Sequence, residues 1–200
     1  MFISDSIKKG WEITKKNFFF FLGILIVYFI LIVAVAFVIN LKPLQKIQFV
    51  GQVVYIIFSY WLGIGLVIIF LKKAKGQDTT FGDLFSGGKY LLSFIGASLL
   101  YYLIVLAGMI LLIFPAIIWG IKYMFFPYLI IDKNMKAIES LKASAKITQG
   151  NKWDILGFSI VAAVVSYLGV LGLVIGLFWS MPTAMIAYIL VYFKLAEKLK

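Results

Sequence analysis

The sequence predicts an all-α, polytopic membrane protein in which six transmembrane helices form three pseudo-repeated hairpins with interfacial amphipathic helices. Three observations lead to this fold class. The 200 residues are 64% hydrophobic and 14% charged, whereas soluble domains average about 45–50% and about 25%. Long uncharged stretches alternate with lysine-rich segments, and an internal repeat relates the two ends of the chain. No Gly/Ser-rich or Pro-rich linker interrupts residues 1–200, so a single integral membrane domain is expected.

Six stretches of the chain are apolar enough to be considered transmembrane helices, which need about 20 residues each. They are Phe18–Ile39, Phe49–Leu71, Tyr90–Phe114, Ala116–Ile131, Ile155–Ile175 and Phe178–Ala196. Taken in pairs they form three hairpins, within units of about 1–71, 72–131 and 132–200. Each hairpin has a proline at or near its turn, namely Pro43, Pro115 and Pro182.

The lysines are distributed unevenly between the two ends of these hairpins. Sixteen of the 19 lie in the N-terminal segment, the 72–89 loop, the 132–152 segment and the C-terminus. The opposite turns contain only Lys42 and Lys46. Because lysine-rich segments stay on the cytoplasmic side, the sequence predicts a multi-pass protein of the cell (cytoplasmic) membrane with both termini in the cytoplasm.

A sequence repeat at an offset of 134 residues supports the hairpin units. Residues 5–8 match residues 139–142, and Ile13-Thr14 matches Ile147-Thr148. Both segments are predicted to be amphipathic helices, and a shorter one is expected in the middle unit after a Thr80–Asp83 capping box. The predicted apolar faces comprise Ile3, Ile7, Trp11 and Thr14 in the first helix, and Ile138, Leu141 and Ala145 in the last. Such helices either brace the bundle or bind lipid or a partner at the membrane surface.

The composition excludes several classes of chemistry. The chain has no cysteine and no histidine, which rules out thiol nucleophiles, disulfides, Cys/His zinc sites and histidine-dependent dyads. It also lacks a P-loop and the aspartate-rich signature of membrane phospholipid synthases. The net charge of +11 is attributed to the membrane surface, and no nucleic-acid partner is expected. The sequence therefore predicts a protein that is not an enzyme and has no cofactor.

Lys122 is the most unusual residue of the predicted spans. It lies seven residues after Pro115 and ten before Asp132, and a lysine near mid-membrane costs about 2.5–3.5 kcal/mol on insertion scales. No predicted span contains an acidic residue to compensate it. Pro127 is expected to free the carbonyl of Tyr123, so Lys122, Tyr123 and Pro127 are predicted to bind an anion or a lipid. The alternative is that the ammonium extends along its stem to a headgroup.

Three carboxylates, Asp83, Asp132 and Asp154, are expected at the cytoplasmic boundary. If the three units pack around an axis, these side chains come together and could bind a divalent cation with water. The alternative is that they cap helices or pair with neighbouring lysines. Both interpretations follow from the sequence.

The second half of the chain resembles a prokaryotic membrane-protein family. The resemblance is carried by Phe114-Pro115-Ala116-Ile117-Ile118-Trp119, Lys122-Tyr123, Pro127-Tyr128, Asp132, the segment from Ala137 to Ser144, Gly150 and Trp153. This family comprises the membrane domain of glycerophosphodiester phosphodiesterases and the YciC-like proteins of unknown function. Ala116 stands where the family usually has glycine. The resemblance implies a helical domain with several spans and supplies no reaction.

Three hypotheses for function follow. The first is a non-enzymatic membrane protein that binds lipid or an anionic metabolite, or supports a membrane-protein partner or a second copy of itself. The second is a small-solute transporter or channel with a site near Lys122, since broken helices form such sites near the midplane. The third is a membrane enzyme that uses the boundary carboxylates and a metal.

Overall fold

The computed structural model describes residues 2–41, 47–171 and 176–199, in which the regular structure is helical. The helices are α1 (Phe2–Lys16), α2 (Phe18–Ile39), α3 (Gln48–Ala74), α4 (Leu91–Leu111), α5 (Ile113–Tyr123), α6 (Phe126–Lys133), α7 (Ala137–Thr148), α8 (Lys152–Leu171) and α9 (Leu177–Ala196). A 3₁₀ segment (Phe81–Tyr90) precedes α4, and a short one (Glu197–Leu199) follows α9. The all-α class is therefore confirmed. The turn with Lys42, Pro43 and Lys46 lies outside the described residues.

Five of the described helical segments are long and apolar enough to cross a membrane. They are Phe18–Ile39, Gln48–Ala74, Phe81–Leu111, Ile113–Lys133 and Leu177–Leu199. This agrees with a membrane protein. The predicted fifth span corresponds to α8 as far as Leu171, and residues 172–175 lie outside the described part of the chain, so a sixth span stays a prediction.

The hairpin between α4 and α5 is very tight. Only Leu112, with an extended backbone, separates the two helices, and Pro115 lies in the first turn of α5, where a proline is tolerated. A Cβ on Gly108 would lie 2.8 Å from the Cα of Ala116. The absence of a side chain at Gly108 therefore allows the two helices to approach each other beside the turn.

The predicted fourth span is two helices rather than one. Helix α5 ends at Tyr123, and α6 begins at Phe126 with Pro127 in its first turn. Proline lacks an amide hydrogen and obstructs a continuous helix, which explains the interruption. Helix α6 ends at Lys133, and the next residue, Asn134, has a left-handed φ of 53°.

Helix α1 packs along α9 through a face of small residues. A Cβ on Gly10 would lie 2.7 Å from the carbonyl oxygen of Thr183, so the two backbones nearly touch there. The predicted face is partly right, because Thr14 is buried and Ile7 is half-buried. Trp11, however, is 48% exposed and contacts the ring of Trp179 at the helix margin.

The buried face of α7 differs from the predicted one. Leu141 is buried as expected, but Ile138 is 60% exposed and Ala145 only half-buried. The buried residues are Ser140, Leu141, Ser144, Ile147 and Thr148. Hydroxyl groups thus form much of the face that contacts the bundle, which a hydrophobic pattern does not reveal.

The buried positions of α1 and α7 are related by the 134-residue sequence repeat. Ser140, Ser144 and Thr148 of α7 correspond, at the same offset, to Ser6, Gly10 and Thr14 of α1, and all six residues are buried. The element order also recurs, because α1, the 3₁₀ segment and α7 each precede a pair of longer helical stretches. Equivalence of the complete units stays a prediction.

The main core lies at the lysine-rich end of the α2–α3 hairpin. Phe21 of α2 stacks on Phe70 of α3 with ring centroids 5.1 Å apart, and α9 contributes the fully buried Tyr192. The 3₁₀ segment packs across α3, where a Cβ on Gly65 would lie 1.8 Å from the carbonyl oxygen of Leu84. This contact leaves no space for any side chain at residue 65.

We predict that Gly65→Ala destabilises the protein. The overpacking cost is typically about 1–3 kcal/mol, and it outweighs the gain of about 1 kcal/mol from replacing a helical glycine. The measurement is the thermal unfolding midpoint in detergent. Gly63→Ala is the matched control, because a Cβ at Gly63 in the same helix meets nothing within 4 Å. Equal midpoints for the two variants would contradict the packing described.

Candidate functional site

The interruption between α5 and α6 is closed by hydroxyl groups of α7. Ser144 Oγ donates to the backbone carbonyl of Lys122 at 3.0 Å. Thr148 Oγ1 lies 3.2 Å from the same oxygen, but its shortest acceptor is the Ser144 carbonyl of its own helix, at 2.9 Å. The backbone N–H of Phe125 donates to Ser144 Oγ at 3.2 Å. Because unpaired backbone groups are costly away from water, the two bonds of Ser144 make the interruption tolerable.

The side chain of Lys122 is half-buried and interacts with its neighbour on α5. Its Nζ lies 5.1 Å from the ring centroid of Tyr123, within range of a cation–π interaction. The carbonyl that Ser144 reaches is that of Lys122. Release of the Tyr123 carbonyl by Pro127 stays a prediction. The three predicted binding residues thus lie together at the interruption.

A polar pocket of about 300 Å³ lies where the ends of α3 and α6 meet the 3₁₀ segment. Two ion pairs cross it: Lys72 with Asp83 at 2.5 Å, and Lys75 with Asp132. The remaining polar residues of its lining are Gln77, Ser86, Lys89 and Tyr90. The pocket brings together two of the three predicted carboxylates. One is paired with Lys72 in the last turn of α3, and the other with Lys75, the residue that follows α3.

Asp132 is the more deeply placed of these carboxylates. Its side chain is 8% exposed, and the hydroxyl of Tyr192 donates to its Oδ2 at 2.7 Å. Lys133 is 4.0 Å from the same oxygen. One carboxylate therefore connects the ends of α3, α6 and α9.

Asp83 closes the capping box that the sequence predicts. The backbone N–H of Thr80 donates to Asp83 Oδ2 at 3.0 Å, and the reciprocal half of the box is also formed. Asp83 therefore both caps the 3₁₀ segment and pairs with Lys72.

Asp154 does not join the other two predicted carboxylates. It is exposed and lines a separate open cavity of about 590 Å³ between the start of α8 and the end of α9, with Lys194 and Lys198. Among the residues that the structure describes, no group of three acidic side chains could hold a metal ion. The arrangement of three converging carboxylates is thus not formed.

An apolar groove of about 270 Å³ lies between α5 and α8. Its lining comprises Phe114, Ile117, Ile118, Ile121, Lys152, Trp153 and Leu156. Lys152 and Trp153 are the first two residues of α8, so the single charge of the lining is confined to one end. The groove combines an apolar surface with an ammonium group.

Sequence reasoning missed the groove residues and the polar partners of the predicted sites. Lys75 and Tyr192 lie 57 and 60 residues from Asp132 in the chain, and no local pattern pairs them. Lys72 lies 11 residues from Asp83, and their contact agrees with the alternative that these carboxylates pair with neighbouring lysines. The hydroxyls of α7 did leave a signal, because Ser140, Ser144 and Thr148 recur every four residues along one helix face.

Ser144→Ala is predicted to lower the free energy of unfolding by about 1–3 kcal/mol, because it leaves the Phe125 amide unpaired in a buried site. Ser140→Ala is the matched control: Ser140 is equally buried, but its hydroxyl bonds only to the carbonyl of Ala137 in its own helix. Denaturation in mixed micelles measures both variants. If Ser140→Ala costs as much as Ser144→Ala, closure of the interruption is not what Ser144 contributes.

Asp132→Asn should destabilise the protein by about 1–2 kcal/mol, a moderate value because Lys75 is partly exposed to water. The substitution removes the charge that pairs with Lys75 and leaves an acceptor for Tyr192. Asp154→Asn, at an exposed position, should leave the unfolding midpoint unchanged. Equal midpoints for Asp132→Asn and the unsubstituted protein would contradict this role for the ion pair.

Comparison of the chain with known protein families, curated proteins and solved structures finds no match.

Proposed function

We propose that this chain is a non-enzymatic integral membrane protein that binds an anionic phospholipid in the α5–α8 groove. The observation that carries the proposal is the composition of the groove, which has an apolar floor and a single ammonium group at one end. A phospholipid has the same division, with apolar acyl chains and a charged headgroup.

The floor of the groove suits an acyl chain. Ile117 and Ile118 of α5 are partly exposed and face Leu156 of α8 across the groove. Each methylene of a chain that leaves water for such a surface contributes about 0.8 kcal/mol. Within a bilayer the chain is already out of water, so the groove supplies shape and the headgroup contact supplies selectivity.

The start of α8 suits a headgroup. Lys152 supplies a cation. A lysine near an anionic membrane surface contributes about 1 kcal/mol of binding free energy. Trp153 is 76% exposed, and tryptophan with its apolar ring and polar N–H is favoured at the level of headgroups. The two residues therefore mark the end of the groove where a phosphate would lie.

The lysine distribution supports an orientation in the cell membrane. The groove end with Lys152 belongs to the lysine-rich side, which we propose is cytoplasmic together with both termini. That leaflet is the one in which anionic lipids attract basic segments. The proposed ligand and the proposed orientation are thus consistent with each other.

The transporter hypothesis rests on one observation, the interruption between α5 and α6, because discontinuous helices form substrate sites in many transporters. In this chain, however, the carbonyl of Lys122 and the amide of Phe125 are already bonded to α7 hydroxyls. An ion or solute at this position would have to displace them. Lipid binding is therefore the better supported function.

Lipid retention in native mass spectrometry tests the proposal. The protein is purified from nanodiscs containing phosphatidylglycerol or phosphatidylcholine. Lys152→Gln should lose most of the phosphatidylglycerol and keep its fold, since a lysine at a helix N-terminus opposes the helix dipole and its removal is tolerated. Lys122→Gln is the control, because Lys122 does not line the groove.

A second variant tests the floor of the groove. Ile118→Trp fills the space beside α8 and should reduce retention of both lipids, whatever their headgroup. If Lys152→Gln and Ile118→Trp both retain lipid like the unsubstituted protein, the groove is not the binding site. Loss caused by Lys122→Gln alone would instead favour the site at the helix interruption.

A further inference from the structure

We infer that the α4–α5 hairpin enters the bilayer from the lysine-rich side and turns back within the hydrocarbon, in contact with acyl chains, without reaching water on the far side. The observation is the surface of its turn. Six consecutive large apolar side chains are each between 62% and 79% exposed there. They are Met109, Ile110, Leu111, Leu112, Ile113 and Phe114.

Water is an unfavourable environment for this turn. Residues 103–121 contain no charged, amide or hydroxyl side chain, so no polar group in this stretch could anchor the turn in an aqueous phase. Keeping a Leu, Ile, Phe or Met side chain in water rather than burying it costs about 1.5–3 kcal/mol. Six such side chains together make hydrocarbon the strongly preferred surrounding.

The backbone of the turn is also suited to hydrocarbon, where unpaired polar groups are costly. Leu112 is the only residue between the two helices, and its N–H donates to the carbonyl of Gly108 at 3.0 Å. Pro115, in the first turn of α5, has no N–H that would need a partner. The one residue outside the two helices therefore has its N–H paired.

The turn between α2 and α3 provides a contrast within the same chain. Residues 40–48 include Asn40, Gln45, Gln48 and two lysines, which suits an aqueous far side. The α4–α5 turn has no amide or lysine side chain of this kind. The two hairpins are therefore expected to end at different depths.

Helix length limits how far the turn can extend. Helix α4 has 21 residues, which corresponds to about 31 Å and is close to the whole hydrocarbon core of about 30 Å. It begins directly after Lys89 and Tyr90 of the lysine-rich pocket, so the turn lies just inside the far edge of the hydrocarbon.

Cysteine accessibility tests the inference cleanly, because the chain has no cysteine. Three full-length variants are compared: Leu112→Cys, Leu41→Cys beside the α2–α3 turn, and Asp78→Cys in the lysine-rich loop. Each is treated with a membrane-impermeant maleimide in intact cells, in inside-out vesicles and after detergent solubilisation. Leu41→Cys should react from outside and Asp78→Cys from inside.

In membranes, Leu112→Cys should react from either side at less than about a tenth of the control rates, because the maleimide does not enter hydrocarbon. After solubilisation in detergent it should react readily. A fluorophore attached there should be quenched more strongly by lipids brominated on their acyl chains than by quenchers attached to the headgroups. Labelling of Leu112→Cys from outside at the rate of Leu41→Cys would overturn the inference. Labelling from the cytoplasmic side, or quenching only by headgroup-level probes, would overturn it equally.

Discussion

The arrangement of the second half of the molecule depends on how the interruption between α5 and α6 is satisfied. A helix broken by Pro127 exposes backbone groups that cost several kcal/mol each when they lack partners in an apolar environment. Ser144 supplies those partners from α7. Helix α7 must therefore lie against the interruption, and its end fixes where α8 begins. The position of the α5–α8 groove follows from these two constraints on α7 and α8.

A second set of polar contacts holds the lysine-rich ends of the other helices together. Asp83 joins the 3₁₀ segment to α3, and Asp132 joins α6 to both α3 and α9. Each carboxylate is thus used to connect elements, and the lysines that face it are neutralised. The outer parts of the α2–α3 and α4–α5 hairpins, by contrast, expose large apolar side chains. The molecule therefore has a polar, tightly connected end and an apolar end that relies on its surroundings.

The sequence predicted features whose signals are local. Hydropathy and length identified the apolar helices, and the spacing of Thr80 and Asp83 identified a capping box that the structure forms. Features that depend on partners distant in the chain were missed. Ile138 was expected on the contact face of α7, but hydroxyl groups form much of that face because they pair with a broken helix elsewhere. Likewise, Asp154 was grouped with Asp83 and Asp132 by its position at the boundary, whereas packing separates it from them.

The depth of Lys122 in the membrane cannot be obtained by counting residues along the sequence. Counted from Pro115 to Asp132 as one straight helix, it would lie near the midplane and require an anion as compensation. The interruption ends that helix one residue later, and the contact with α7 connects Lys122 to the lysine-bearing boundary. Its ammonium also lies over the ring of Tyr123. Lys122 thus has an aromatic partner within the protein, and a ligand at this residue stays a prediction. Lys152, which lies at the end of an apolar groove, is the cation on which the proposed lipid site depends.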